Sequence, residues 1–350
     1  MKQNYIIPLF IPHYGCPHVC IFCNQKKITG QVSPITPQDV RTRLAAELAL
    51  ISPKRLIEVA FYGGSFTALP LSQQNELLAP ATELLQLRKI HSIRLSTRPD
   101  CISRPILENL RNMGVSIIEL GVQSLDDEVL LASERGHKAY HVFAAVEMLK
   151  EYGFSFGIQL MPGLPKEDSV SLLRSAVLTA SLRPDMVRLY PVIVLADTPL
   201  AKVYQQGLYK PLSLEKAIAK TAMVKQLLLE HHIPVIRMGL QATEELDNSS
   251  VRLAGPYHPA FGEMVISYLY RQEVSRILEE LNFSDKANNQ KLELHCCRRD
   301  ESKLRGQKNN NLRYWQELFS CQIFIKANLS DDAGIYITYN GISFGIKKII

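Results

Sequence analysis

Apolar runs of strand length alternate with helix-period segments from residue 4 to residue 193, and few folds accept that order: it dictates parallel strands joined by crossover helices. Strands are expected near 4–11, 56–62, 91–97, 116–122, 155–161 and 186–193, with helices at about 37–51, 72–88, 103–113, 126–133, 138–152 and 167–182 between them. Six such units make most of a barrel, so the expected class is α/β with a partial, TIM-like (β/α)6 barrel. A seventh apolar run, Ile233 to Leu240, follows a helix expected at 213–231 and is a candidate extension of the sheet. A helix at about 260–281 would close this part.

The last stretch reads differently. Lys291 to Cys297 alternates as a strand, a polar stretch around Arg305 to Trp315 has helix character, and Cys321 to Ala327 is strand-like again. Ile335–Tyr339 and Ile342–Phe344 flank Asn340-Gly341, a pair whose tolerance of positive φ favours a two-residue hairpin. The expected division is a barrel with a helical extension over 1–282 and a small α+β module over 283–350.

Chemistry enters at Cys16, Cys20 and Cys23, in the run Gly-Cys-Pro-His-Val-Cys-Ile-Phe-Cys, spaced C-x3-C-x2-C just after the first expected strand. Three thiolates can hold three irons of a cubic iron–sulfur cluster and leave the fourth open, whereas electron-carrying clusters close all four positions with cysteine. An open iron implies a ligand on which chemistry is done. The competing arrangement is a structural zinc, with His13 or His18 completing a Cys3His set. Disulfides fit poorly, because two of the cysteines are three residues apart and no secretory signal precedes them.

At 350 residues and 46% hydrophobic content the chain can bury one large core plus an appendage, which excludes a disordered protein. The apolar start, Tyr5 to Pro12, is far short of the roughly 20 residues that span a bilayer, so no membrane role and a cytoplasmic location are expected. An odd total of seven cysteines suits a reducing compartment; Cys101, Cys296, Cys297 and Cys321 read as buried or surface thiols. Residues 283–350 hold eleven Lys or Arg against seven Asp or Glu, a bias that permits an acidic partner such as RNA and equally describes a solvated face.

The cysteine triple, with Phe22 before its last member, resembles the signature of the radical SAM superfamily. Later runs resemble the subgroup around the Elongator catalytic subunit: Gly-Gly-Ser-Phe-Thr at 63–67, Thr-Arg-Pro-Asp at 97–100, Glu-Leu-Gly-Val-Gln-Ser at 119–124, Arg-Gly-His at 135–137 and Met-Pro-Gly-Leu-Pro at 161–165. The resemblance covers about residues 5–265 and implies a radical SAM barrel holding a 4Fe-4S cluster. It further implies that the open iron chelates S-adenosyl-L-methionine, whose one-electron cleavage yields a 5′-deoxyadenosyl radical that the protein must shield and aim.

These runs fall at or just after the C-terminal ends of expected strands, where barrels of this kind collect catalytic groups, except Arg-Gly-His at 135–137, which breaks what would otherwise be one long helix. By the resemblance, Cys16, Cys20 and Cys23 ligate the cluster and Phe22 packs beside the adenine edge. Gly63 and Gly64 let the main chain approach the methionine amine, helped by Ser65 and Thr67 in place of the acidic residue many relatives carry. Thr97, Arg98, Gln123, Gln159 and Met161 reach the ribose and the carboxylate, for which a guanidinium is well suited, and Arg135 stands in a loop facing the site. Tyr190 is a candidate to position substrate or relay a hydrogen atom, and His258, in Gly-Pro-Tyr-His-Pro-Ala-Phe at 255–261, is a candidate acid, base or ligand. Each residue alone is equally readable as packing.

The expected activity is reductive cleavage of S-adenosyl-L-methionine followed by hydrogen abstraction, with electrons from a ferredoxin or flavodoxin type donor. The Elongator relatives modify transfer RNA with a second, acetyltransferase domain; the tail here is too short for one and shows no Gln-x-x-Gly-x-Gly/Ala loop, so RNA is the first expectation for substrate without that second reaction. A radical enzyme acting on a small molecule and a non-catalytic metal-binding scaffold are the alternatives.

Overall fold

The computed structural model describes residues 4–11, 15–25, 35–52, 55–281, 290–331, 333–339, 341–346 and 349. The expected alternation is realised as β1 (Asn4–Phe10), α1 (Pro37–Leu50), β2 (Leu56–Tyr62), α2 (Leu71–Gln86), β3 (Ser92–Thr97), α3 (Arg104–Asn112) and β4 (Val115–Gln123). It continues through α4 (Asp127–Ala132), α5 (Ala139–Glu151), β5 (Ser155–Leu160), α6 (Ser169–Leu182) and β6 (Met186–Leu189). Local chemistry sets the helix starts. Thr36 accepts from the Asp39 amide while Asp39 accepts from Thr36, a reciprocal cap on α1, and Asp168 and Ser171 do the same for α6.

The sixth strand is shorter than expected. Pro191 has no amide hydrogen for a ladder, and the chain leaves the sheet after Leu189. It forms a two-residue strand, β7 (Val194–Leu195), then α7 (Pro199–Gln205), α8 (Leu214–Glu230), β8 (Val235–Met238), α9 (Glu244–Asp247), β9 (Arg252–Ala254) and α10 (Phe261–Glu280). β7 and β9 pair antiparallel, whereas β8 joins β6 in parallel, so the seventh apolar run does extend the sheet. The strand order β1-β2-β3-β4-β5-β6-β8 leaves β1 and β8 as edges of an open barrel.

Strand residues alternate between two environments. Leu9, Val59, Phe61, Leu95, Ile118, Leu120, Ile158 and Leu189 are buried in the core shared with the helices. The intervening residues Glu58, Tyr62, Arg94, Ser96, Glu119, Gln159 and Arg188 line the opposite, concave face. A barrel lumen this polar is a place for chemistry rather than packing.

The tail forms a second sheet in the order β11-β10-β12-β13, from β10 (Gln290–Cys297), β11 (Cys321–Leu329), β12 (Ile335–Tyr339) and β13 (Ile342–Ile346). Where one helix was expected, two stand between β10 and β11: α11 (Arg298–Arg305) and α12 (Asn310–Phe319). Gly306, Lys308 and Asn309 all take positive φ, which breaks the helix between them. Gly341 has φ +77°, as a hairpin turn requires, while Asn340 lies outside the described residues. Trp315, fully buried, donates to the Ser275 hydroxyl at 3.1 Å and so ties α12 to α10.

Candidate functional site

Cys16, Cys20 and Cys23 sit in the loop after β1. Gly15 has φ +76°, and a Cβ there would lie 2.5 Å from the Ser65 carbonyl, so only glycine lets this loop press on the loop after β2. Cys16 Sγ lies 3.6 Å from Ser65 Oγ, and the Cys23 amide donates to the Cys20 carbonyl at 3.0 Å, closing a turn that places these two cysteines side by side. Burial, with the Cys20 and Cys16 sulfurs beside it, pushes the Cys23 thiol up to about 12. Burial also pushes Cys16 up. Cys20 is buried, whereas Cys16 and Cys23 are half-buried. Among the described residues no three His, Cys, Asp or Glu side chains close around a single ion.

A second loop docks on the first. His18 packs so tightly on Gly136 (φ +74°) that a Cβ at 136 would collide with the imidazole ring. That docking brings Arg135 Nη1 to 3.0 Å from Cys20 Sγ, while Nη2 donates to the Gly121 carbonyl. Gly121 leaves the room: a Cβ there would stand 2.9 Å from Arg135 Nη2. Arg98 completes the arrangement, donating to both Asp100 carboxylate oxygens at 3.0 and 2.9 Å and to the Arg135 carbonyl at 2.5 Å. Arg98, Arg135 and His137 are all nearly inaccessible, yet among the described residues Arg98 Nη1, Arg135 Nε and both His137 nitrogens have no hydrogen-bond partner. Burial, reinforced by the Arg135 charge, pushes His137 down to about 3, so its ring is neutral.

The other expected residues surround these loops. Gly63 and Gly64 have φ +81° and +41°, and the Gly64 amide donates to Gln25 Oε1 at 2.7 Å. Thr67 and Thr97 share a buried hydrogen bond of 2.6 Å, which joins the loop after β2 to the end of β3. Gln123 holds a strained φ of +71° at a bulge ending β4, and its Oε1 accepts from Gln159 Nε2 at 3.0 Å. Phe22 and Met161 pack together with Ile21, Leu164 and Val192 in a small apolar cluster beside the cysteine loop.

Beneath this mouth the lumen holds an ion lattice with no counterpart in the sequence reading. Arg94 reaches Glu58 at 2.7 Å and Glu119 at 2.6 Å, and Arg188 reaches the other Glu119 oxygen at 2.5 Å. Arg188 also donates to the Tyr190 hydroxyl at 3.1 Å. Tyr190 thus joins the lumen. His258 does not: its Nδ1 accepts from the Ala260 amide at 3.0 Å, its Nε2 lies 3.3 Å from Gln307, and it lines a small surface pocket with Pro191, Gly239 and Phe261. The missed residues Glu58, Arg94 and Glu119 had one signal available, single charges inside otherwise apolar strand runs.

Residues 10–176 match the Radical SAM superfamily, and residues 184–271 match the Radical_SAM C-terminal domain. With three cysteines, a glycine loop and buried cations gathered at the strand ends of a parallel barrel, the chain belongs to the radical SAM superfamily and is a radical SAM enzyme. The cofactors of that family are a 4Fe-4S cluster and S-adenosyl-L-methionine. Within it the chain is similar to the tRNA uridine(34) acetyltransferase of Methanocaldococcus jannaschii, 28% identical over 255 residues, with 61% of this chain and 47% of the relative covered. It is similar also to Elongator complex protein 3 of Homo sapiens, 24% identical over 63% of this chain and 49% of the relative. The solved structure of archaeal Methanocaldococcus infernus Elp3 with an N-terminal deletion superposes with a TM-score of 0.61 at 22% identity, covering 78% of this chain and 64% of that one. The chain spans about half the length of the curated relatives it matches. No helix among the described residues is long and apolar enough to cross a membrane.

Proposed function

We propose that Cys16, Cys20 and Cys23 hold the cluster at the barrel mouth, that Arg98 and Arg135 receive the carboxylate of S-adenosyl-L-methionine, and that the substrate is a base of RNA. When bound, the cluster and S-adenosyl-L-methionine supply a 5′-deoxyadenosyl radical by one-electron cleavage. The carrying observation is a pair of buried guanidinium N–H groups, Arg98 Nη1 and Arg135 Nε, that have no partner among the described residues and stand beside the cysteine loop. An unsatisfied buried donor costs about 1–3 kcal/mol, and a carboxylate accepting from both removes that cost.

The remaining residues bind and orient. Gly63, Gly64, Ser65 and Thr67 shape the loop offered to the methionine amine; Thr97, Gln123, Gln159, Met161 and Phe22 frame the nucleoside. Tyr190 meets substrate in the lumen, whereas His258, held by the Ala260 amide and Gln307, is left to structure. Electrons come from a ferredoxin or flavodoxin type donor. The RNA assignment is supported by the relatives' name, tRNA uridine(34) acetyltransferase, and by the excess of cations in the tail.

The test is transfer RNA binding by the reconstituted protein as salt rises. Phosphate contacts make log K fall with log salt at about −0.7 to −0.9 per contact. A steep slope, with transfer RNA accelerating 5′-deoxyadenosine release, is expected; affinity absent or indifferent to salt would replace RNA with a small molecule.

A further inference from the structure

Arg188, on β6, holds two phenols at once: Nη2 donates to the Tyr62 hydroxyl at 2.8 Å and Nη1 to the Tyr190 hydroxyl at 3.1 Å. A guanidinium is only a donor. Both phenol oxygens therefore act as acceptors in these contacts, and each O–H proton has to point elsewhere. Among the described residues neither proton has a protein acceptor. The two phenols come from opposite walls, Tyr62 immediately before the Gly63-Gly64 loop and Tyr190 just past β6, and both are half-buried, so they open into the lumen under the cofactor loops. Arg188 also lies over the Tyr62 ring at 5.2 Å, which fixes the plane of that phenol.

Hydrogen-bond polarity selects what such a floor can bind. Glu58 and Glu119 balance Arg94 and Arg188 within the lattice, so Arg188 presents the two phenols and not a free charge. Arg237, in register with Arg188 on β8, is a further cation on this face. A neutral group with two acceptor oxygens finds two oriented O–H donors. Carbonyl oxygens on the edge of a pyrimidine have this character, and a base must leave its stack to reach such a pocket.

We infer that Tyr62 and Tyr190 read the substrate in the barrel, their O–H groups donating to the carbonyl oxygens of an extruded uracil base, with Arg188 as the positioning residue that aims them. This rests on the RNA reading above and assigns it a recognition edge.

The test uses the full chain, reconstituted with cluster and S-adenosyl-L-methionine, without reductant. Binding is measured to an anticodon stem-loop RNA with uridine at position 34 and to the same RNA carrying pyrimidin-2-one riboside there, which lacks the 4-oxygen. Tyr62→Phe and Tyr190→Phe each weaken binding of the uridine RNA by about two- to twelvefold, the worth of one hydrogen bond, and one of them leaves the pyrimidinone RNA unaffected. Arg188→Met keeps both phenols but loses the preference for uridine over pyrimidinone, a ratio that a purely structural role would not move. Should Arg188→Met fail to fold, the two Phe variants decide alone. Wild-type binding that both Phe substitutions leave unchanged, or weaken equally for the two RNAs, overturns this inference alone. Absence of wild-type binding to either RNA overturns the RNA reading and the inference with it.

Discussion

Replacing Glu119 by alanine removes the carboxylate that two buried guanidiniums share. The Glu119, Arg94 and Arg188 side chains are only 7%, 8% and 11% exposed, and the carboxylate meets the guanidiniums at 2.6 and 2.5 Å. Arg94 keeps Glu58 after the substitution. Arg188 keeps only neutral hydroxyls, so a cation is left in a site from which water is largely excluded. Removing one partner of a buried pair costs about 3–5 kcal/mol, a large fraction of the roughly 5–15 kcal/mol that holds a domain folded. At about 2–4 °C per kcal/mol, the apoprotein's thermal midpoint should fall by roughly 6–20 °C. The double variant Glu119→Leu/Arg188→Met removes both charges and should recover at least half of that loss, because the cost is the stranded cation and not the missing attraction. Differential scanning calorimetry under anaerobic conditions reads both. A drop of less than about 1 kcal/mol for Glu119→Ala, or a double variant no more stable than the single, would show that Glu119 does not hold a buried cation in place.

His137 gives a pH prediction. Its folded value, near 3, lies below the ordinary 6.5, so between those values the unfolded chain binds more protons than the folded one. Stability from this group is present above about pH 6.5 and falls as pH drops toward 3, by up to about 1.4 kcal/mol per unit. Urea unfolding at pH 7 and pH 5 should show a larger loss for the wild type than for His137→Phe; equal losses would show that His137 is not held neutral. Gly136→Ala should loosen the docking of the two loops, since it adds strain at φ +74° and drives a methyl into His18. Iron retained after gel filtration is expected to fall in Gly136→Ala and to recover in part in His18→Ala/Gly136→Ala. Cys101→Ala should retain iron like the wild type.

Much of the scaffold was legible because period-2 apolar runs such as Ile57–Phe61 and Ile118–Val122 are dictated by burial against helices, which leaves its mark residue by residue. The cysteine triple was legible for a similar reason, being local in sequence. What was not legible depends on register and on distant loops. Ser96 faces Glu119 and Gln159 faces Arg188 only once the strands are aligned, so four scattered charges gave no warning that they form one lattice. Arg135 meets Cys20 across 115 residues, through a contact between Gly136 and His18 that no local pattern encodes. Strand six ended early at Pro191, and the tail helix split at Gly306, both by backbone rules that the broader apolar and polar runs concealed.

On the proposed function, Cys16, Cys20 and Cys23 hold a cluster with one iron position open to S-adenosyl-L-methionine. The most direct test of that site is anaerobic reconstitution with iron and sulfide, followed by electron paramagnetic resonance of the dithionite-reduced protein before and after S-adenosyl-L-methionine, with assay of the nucleoside product. The wild type should show a 4Fe-4S signal that changes shape on adding S-adenosyl-L-methionine and should release 5′-deoxyadenosine, and Cys16→Ala/Cys20→Ala/Cys23→Ala should lose both. A tetrahedral zinc bound by the three sulfurs, or a cluster whose signal S-adenosyl-L-methionine leaves unchanged with no nucleoside released, would contradict the open position.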